Sequence, residues 1–388
     1  MNHHSSSYTP GRPTWLEIDL TAIAHNFNVA QRAVGSRCAL YPVIKANAYG
    51  LGAVPVARAL AAAGAAGFCV AMVEEAIPLR AAGIQLPIVL LSGFIPGLEH
   101  QVIALDLEPV VFDLEAARRL SRLSQARGAD APALPVHVKI DTGMGRVGFA
   151  ARDLPEMVAA LDRLPGIRLD SILSHLARAD EAEGIETTLG QTEALQTAFA
   201  GLGERGKGLR VSLANSAGLL GTAVTRLDWA RPGIVLYGAS PFYPHRTWRD
   251  EGLRPVVRWL THVLSMREVP KGTPLGYGHE FVTGRQSRIA LLPVGYADGY
   301  GRVLKGRAKI LTHGRQASVV GRISMDLTLA DVTDIPECRI GSRVTLLGAD
   351  GEAFIGIEEM ADWMETIPYE VLCRLGPRMP RRHLSNVP

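Results

Sequence analysis

The sequence predicts an α/β protein in two parts, an N-terminal (β/α)8 barrel followed by a mostly β domain. Three observations carry that expectation. Eight short apolar runs alternate with stretches of helical spacing over roughly 240 residues, which fits a (β/α)8 TIM-type barrel in number and length. The rhythm then breaks at "SPFYPHRTWRDEGLRP", Ser240 to Pro255, a segment rich in Pro, Arg and aromatic residues. Beyond it, short β-type runs divided by glycines and turn residues dominate.

In chain order, "TWLEIDLTAIAHNFNVAQRAV" reads as a strand and then a helix. Barrel strands are expected at "ALYPVIK", "GFCVA", "LPIVLLS", "EPVVF", "LPVHVKI", "IRLDSILS", "LRVSLA" and "GIVLYG". Segments such as "VEEAIPLRAAG", "DLEAARRLSRLSQARG" and "TTLGQTEALQTAFAGLGERG" supply the helices between them. A doubly wound open sheet is the competing arrangement, but no GxGxxG follows the first strand. After the linker come "VVRWLTHVLSMREV", "SRIALLPV", "AKILTHG", "QASVVG", "DLTLADV" and "RVTLLG", with one helix near Ile357 to Glu365. The expected domains are residues 12–245, the barrel, and 246–388, the β domain.

Composition bounds the function. The 388 residues are 47% hydrophobic and 20% charged, the profile of a folded chain. A net charge of +3, with acids and bases interspersed, gives neither a nucleic-acid footprint nor an acidic tail. Cys38, Cys69, Cys338 and Cys373 lie far apart, so neither a zinc site nor a disulfide scaffold is expected. The N-terminus "MNHHSSSYTPGRP" lacks an apolar signal core, and His3 and His4 read as part of a polar tail, not as metal ligands. No run approaches the ~18 apolar residues of a membrane span. A cytoplasmic protein with reduced thiols and no bound metal is the expectation.

In such a barrel, site residues come from the C-terminal ends of strands and the loops after them. Lys45 ends the first expected strand, and "DTGMGR", Asp141 to Arg146, follows the fifth. Ser174 and His175 end the sixth, "ANSAG" ends the seventh, and "ARPG" leads into the eighth. Polar residues from five distant segments thus gather at one rim. Alternation puts Tyr41, Val43 and Lys45 on one face of their strand. Burial of Lys45 at the rim would favour its neutral, nucleophilic amine, which forms Schiff bases with carbonyls. A pyridoxal phosphate aldehyde and an aldolase substrate both fit that chemistry. "NSAG" offers a hydroxyl and small residues for an anion, and reads equally as a helix cap. His175 taken alone reads as well as a structural histidine.

"VIKANAYGLG", "DTGMGRVGF", "ANSAG", "RPGIVLYG", "LGYGHEF", "LPVGYADGY", "GRISMDLTLADVT" and "TIPYEVLCRLGPRMPR" together resemble the alanine racemase family, in order and from about Trp15 to Arg382. The resemblance implies a pyridoxal 5'-phosphate enzyme that interconverts L- and D-alanine, supplying D-alanine for peptidoglycan. It also implies a homodimer whose sites are shared between one protomer's barrel and its partner's β domain. Lys45 would carry the cofactor and act as one acid/base group. Tyr277, supplied across the dimer, would be the other. Tyr49, Ser216, Gly233, Ile234 and Tyr369 would hold the phosphate, with Asn215 matching by position. Arg231 would face the pyridine nitrogen, with His175 beside it. Arg146 and Met325 would bind the substrate carboxylate, and Tyr296 would line the entrance. In "LGYGHEF" the family more often has a small residue and threonine where His279 and Glu280 stand, which bears on the loop and not on Tyr277.

Rival readings remain open at this point. A pyridoxal-dependent decarboxylase would place a carboxylate at the pyridine nitrogen, where this chain has Arg231. A noncatalytic pyridoxal-binding protein would resemble the barrel alone. A serine or broad-specificity racemase differs only in pocket volume. Lys139, in "VHVKIDTGMGR", is expected to point into the barrel with His137 and Asp141. It would either pair with an acid such as Asp141 or, as the resemblance suggests, be carbamylated and hold Arg146.

Overall fold

The computed structural model describes residues 12–128 and 131–385, so the stretch with His3 and His4 lies outside the described residues. Two compact units result: Leu20–Val256, and the described residues through Asp19 together with those from Val257 onward. The division thus falls elsewhere than at the expected 12–245 and 246–388. The cause is strand pairing. The first strand, β1 (Trp15–Asp19), runs antiparallel to Val257–His262 and parallel to Arg381–Leu384, with Trp15, Leu16 and Ile18 buried.

Within Leu20–Val256, the strands β2 (Ala39–Leu40), β3 (Phe68–Val70), β4 (Ile88–Leu90), β5 (Glu108–Val111), β6 (Leu134–Asp141), β7 (Phe149–Ala150), β8 (Ile167–Leu173), β9 (Arg210–Ser212) and β10 (Trp229–Ala230) pair in parallel. Leaving out the short β7, which pairs beside β6, the order β2-β10-β9-β8-β6-β5-β4-β3 is that of consecutive barrel strands. The ring closes between β2 and β3 through a Val43–Cys69 bridge and the Cys69 N–H, which donates to Pro42 O at 2.8 Å. The (β/α)8 barrel expected from the sequence is therefore present.

The eighth strand is displaced from its expected place. "GIVLYG" is not a strand: Ile234–Tyr237 forms a 3-10 turn, and β10 is the preceding Trp229–Ala230. Pro232 has no N–H to continue a ladder. All four turn residues are buried, and Tyr237 donates its hydroxyl to Val43 O at 2.8 Å. A short buried apolar run has no periodicity that tells such a turn from a strand.

In the other unit, nine strands follow one path, from Ser265–Val269 at one edge to Arg381–Leu384 at the other. A separate two-stranded ribbon, Pro274–Leu275 with Phe281–Val282, carries "GYGHE" at its tip. Leu275 anchors that ribbon in a cluster with Val269, Ile289 and Val320, against which Phe281 and Leu329 pack. Among the described residues, no helix is long and apolar enough to cross a membrane.

Candidate active site

The first strand of the barrel ends earlier than its apolar run. Regular pairing stops at Leu40, and Lys45 opens a helical turn, Lys45–Tyr49, of the wrong hand. Ala46, Asn47, Ala48 and Tyr49 have φ of 51, 55, 53 and 54°, four consecutive non-glycine residues in the left-handed region. Each such residue costs roughly 1–2 kcal/mol, so the turn persists only where its surroundings hold it. Asn47 Oδ1 accepts from Ala53 N at 2.8 Å, and Gly50 N donates to Ala46 O at 2.8 Å. The buried Lys45 expected from strand alternation is not found. The turn leaves Lys45 exposed at the rim, because the strand no longer dictates its direction.

Next to that rim, hydroxyl and backbone groups from three segments form a cradle. Val43 N donates to Pro232 O at 2.8 Å, which ties the approach to Lys45 to the Arg231–Gly233 segment. Ser216 Oγ accepts from Gly233 N at 2.8 Å, leaving its own proton to give to an anion. A Cβ on Gly233 would come within 2.6 Å of the Tyr49 hydroxyl, so glycine is what lets that hydroxyl approach the backbone here. The Tyr49 ring packs on Tyr237 with centroids 4.5 Å apart. Ile234 begins the buried turn after Gly233. Asn215 serves as the helix cap that "NSAG" allowed, its Oδ1 accepting from Gly218 N at 2.9 Å.

Arg231 is buried in the barrel with 4% of its surface exposed. Its guanidinium donates to Ser212 Oγ, to Ser174 O at 2.5 Å and to Leu213 O at 3.2 Å. These partners are neutral, so no carboxylate offsets the charge. Burial accordingly pulls its pKa down to about 10. His175 lies in the same field: burial, followed by Arg231, Lys139, Arg146 and Lys45, holds its pKa well below the ordinary 6.5. The imidazole is therefore neutral at physiological pH. Four basic residues from three strand ends bear on it, a concentration of positive charge that suits an anionic ligand.

Lys139 is buried, and its pKa falls to about 7 through burial first and then through Arg231 and Arg146. Asp141 partly offsets that fall by its charge, while its Oδ1 accepts from Gly143 N and Met144 N, each at 2.8 Å. Arg146 follows on the exposed loop.

In the β unit, Tyr277 is 68% exposed at the ribbon tip, and Met325 and Tyr296 are 54% and 40% exposed. Tyr296 N donates to Ser324 O and Ala297 N to Met325 O, both at 3.1 Å. A Cβ on Gly295 would fall 2.2 Å from Ser324 O, so glycine permits this approach of Tyr296 to Met325. The unusual Glu280 pairs with Arg322 and, at 2.6 Å, with Lys305. His279 takes a positive φ of 49° beside it. Tyr369 is half-buried in the Pro368–Cys373 helix.

The family models agree residue range by residue range. Residues 18–241 match the alanine racemase N-terminal domain, and residues 256–383 match the C-terminal domain. The chain belongs to the alanine racemase family. It is 44% identical over 363 residues to an alanine racemase of Syntrophobacter fumaroxidans, covering 94% of this chain and 95% of that one. An alanine racemase structure from Streptomyces lavendulae superimposes with a TM-score of 0.90 at 34% identity, covering 98% of each chain. One from Bartonella henselae with covalently bound pyridoxal phosphate gives 0.85 at 32% identity, covering 96% of this chain and 99% of that one. The family is one of isomerases acting on amino acids.

Proposed function

We propose that this chain racemises alanine, L to D and D to L, with pyridoxal 5'-phosphate held in the barrel and two proton-transferring groups, Lys45 and Tyr277. The observation that carries the reading is the pairing of a hydroxyl-lined cradle with a buried arginine that has no carboxylate partner. Tyr49, Ser216, Gly233 and Ile234 line the cradle, and Arg231 lies beside it. A decarboxylase would need an acid at the position of Arg231.

The residues present fit the cofactor. Its phosphate would be held by the Ser216 and Tyr49 hydroxyls and backbone N–H groups around Gly233. Lys45 would hold its carbon end. When bound, the pyridoxal group spreads the negative charge left at alanine's Cα once the proton has gone. Arg231 donates hydrogen bonds but keeps its proton, so it tempers that electron withdrawal. This favours return of the proton over side reactions. Lys45 Nζ serves one face of Cα, and the partner subunit's Tyr277 hydroxyl serves the other. Neutral His175 does not compete for that proton.

The exposed Tyr277, Tyr296 and Met325 support a homodimer in which each protomer's β unit completes its partner's site. Pocket volume decides between alanine and serine. Initial rates on a panel of L-amino acids, read as loss of optical rotation, test it. Alanine is expected to lead, and a faster rate on serine would reverse the substrate assignment. The reaction would be cytoplasmic and supply D-alanine for peptidoglycan.

Lys139 holds Arg146 in this reading. Its neutral amine attacks the carbon of carbon dioxide and loses one proton, leaving a carbamate anion that accepts from the guanidinium. With the pKa lowered to about 7, the amine is available above that pH and protonated below it. At a fixed carbon dioxide concentration, 13C-labelled carbon dioxide should therefore be taken up at neutral pH and lost as the pH falls below about 7. No carbamate carbon signal at neutral pH would show a plain ammonium instead. Lys139→Ala is expected to weaken alanine binding and to be partly rescued by short carboxylates.

A further inference from the structure

The left-handed turn after Lys45 needs an outside restraint, and one lies 29 residues along the chain. Glu75 Oε1 accepts from Ala46 N at 2.7 Å, the first amide of the turn. Its other oxygen, Oε2, accepts from Ala71 N at 2.6 Å and Met72 N at 3.5 Å, just past the end of β3. One carboxylate thus staples the turn that Lys45 opens, beyond β2, to the C-terminal end of the neighbouring β3. We propose that Glu75 is a positioning residue for Lys45: it fixes the left-handed turn from which the lysine amine is presented. The proposal rests on the reading of Lys45 as the cofactor-bearing, proton-transferring lysine.

The chemistry favours a carboxylate over any other side chain here. Both oxygens accept, each from a different element, and the charge shortens and strengthens the bonds to backbone N–H groups. A glutamine keeps one acceptor and turns an N–H₂ towards a backbone N–H, so it can satisfy one element but not both. The charge lies at the start of the Val73–Ala81 helix, where the third position of a helix often reaches back to its own cap. That local role explains the long contact to Met72. It does not explain the shorter bond to Ala46, which belongs to no part of that helix. Without the staple, Ala46 to Tyr49 are free to leave the left-handed region and carry the Lys45 backbone with them. Misplacing a reacting group by about 1 Å costs on the order of 100-fold in rate.

The test compares Glu75→Ala, Glu75→Gln and, as a control, Glu74→Gln in the full-length protein saturated with pyridoxal phosphate. Amide hydrogen exchange is read over the peptide spanning residues 45–52. In Glu75→Ala, exchange there should quicken by roughly tenfold or more while the rest of the barrel stays protected. In the same variant kcat should fall by about 100-fold, with KM for alanine changed less than about threefold. Glu75→Gln should lie between, and Glu74→Gln should match wild type. If Glu75→Ala does not fold, Glu75→Gln carries both readings. Wild-type exchange over 45–52, or faster exchange with unchanged kcat, overturns the proposal and leaves Glu75 a helix-start residue. Borohydride reduction that fixes pyridoxal on another lysine in the wild type overturns the reading of Lys45 instead, and is seen independently of the exchange result.

Discussion

Lys45→Ala is expected to abolish racemisation, lowering kcat by about 10,000-fold or more, because on the proposed mechanism it removes both the covalent anchor and one of two proton-transferring groups. The loss should come without unfolding. Lys45 is exposed, and an alanine side chain adds nothing to a left-handed turn whose next residue is already alanine. Circular dichroism and Tm should therefore match wild type within a few degrees. Reduction with borohydride and peptide mapping gives the complementary result: the adduct on Lys45 in the wild type and none in the variant. An adduct on a different lysine, or a variant with more than a few per cent of wild-type activity, would end the assignment.

Tyr277→Phe should be nearly as damaging and more informative. It deletes one hydroxyl from an exposed ring, so stability should barely change. The rate should fall by about 100- to 10,000-fold, the range for a positioned acid or base. The loss should be uneven: exchange of the α-proton with deuterated solvent is expected to fail from one enantiomer of alanine and partly survive from the other. Equal failure from both would contradict the assignment of one group to each face. Mixing inactive Lys45→Ala and Tyr277→Phe subunits separates shared sites from self-contained ones. In a mixed dimer one site has both defects and the other has none. Random exchange makes half of the dimers mixed, so activity should return to about a quarter of wild type if each site draws on both chains. No recovery after proven exchange would mean that Tyr277 does not act across the dimer.

Much of this was readable from residue order. The alternation of short apolar runs with helical stretches encodes which face of each element is buried, and burial is what builds a barrel. Strand ends then follow, and with them the common placement of Lys45, Lys139, His175, Ser216 and Arg231. The motifs carried the family. Alternation along β6 already turned Lys139 into the interior, where it is found buried.

What periodicity does not encode is pairing at a distance or backbone hand. β1 fell inside the expected barrel domain, 12–245, yet its neighbours are Val257–His262 and Arg381–Leu384, more than 200 residues away. An apolar strand reads alike whichever sheet it joins. "GIVLYG" had the composition of a strand and became a buried turn, because Pro232 ends the ladder and the rim still needs apolar filling. "KANAY" has no glycine to announce four left-handed residues, and nothing in "VEEAIPLR" says that its second glutamate reaches back to Ala46. Sequence alone determined which residues gather at the mouth of the barrel. Only the tertiary structure decided how Lys45 is presented there, since a strained turn is held by contacts from outside itself, and those exist only once the neighbouring strand is in place.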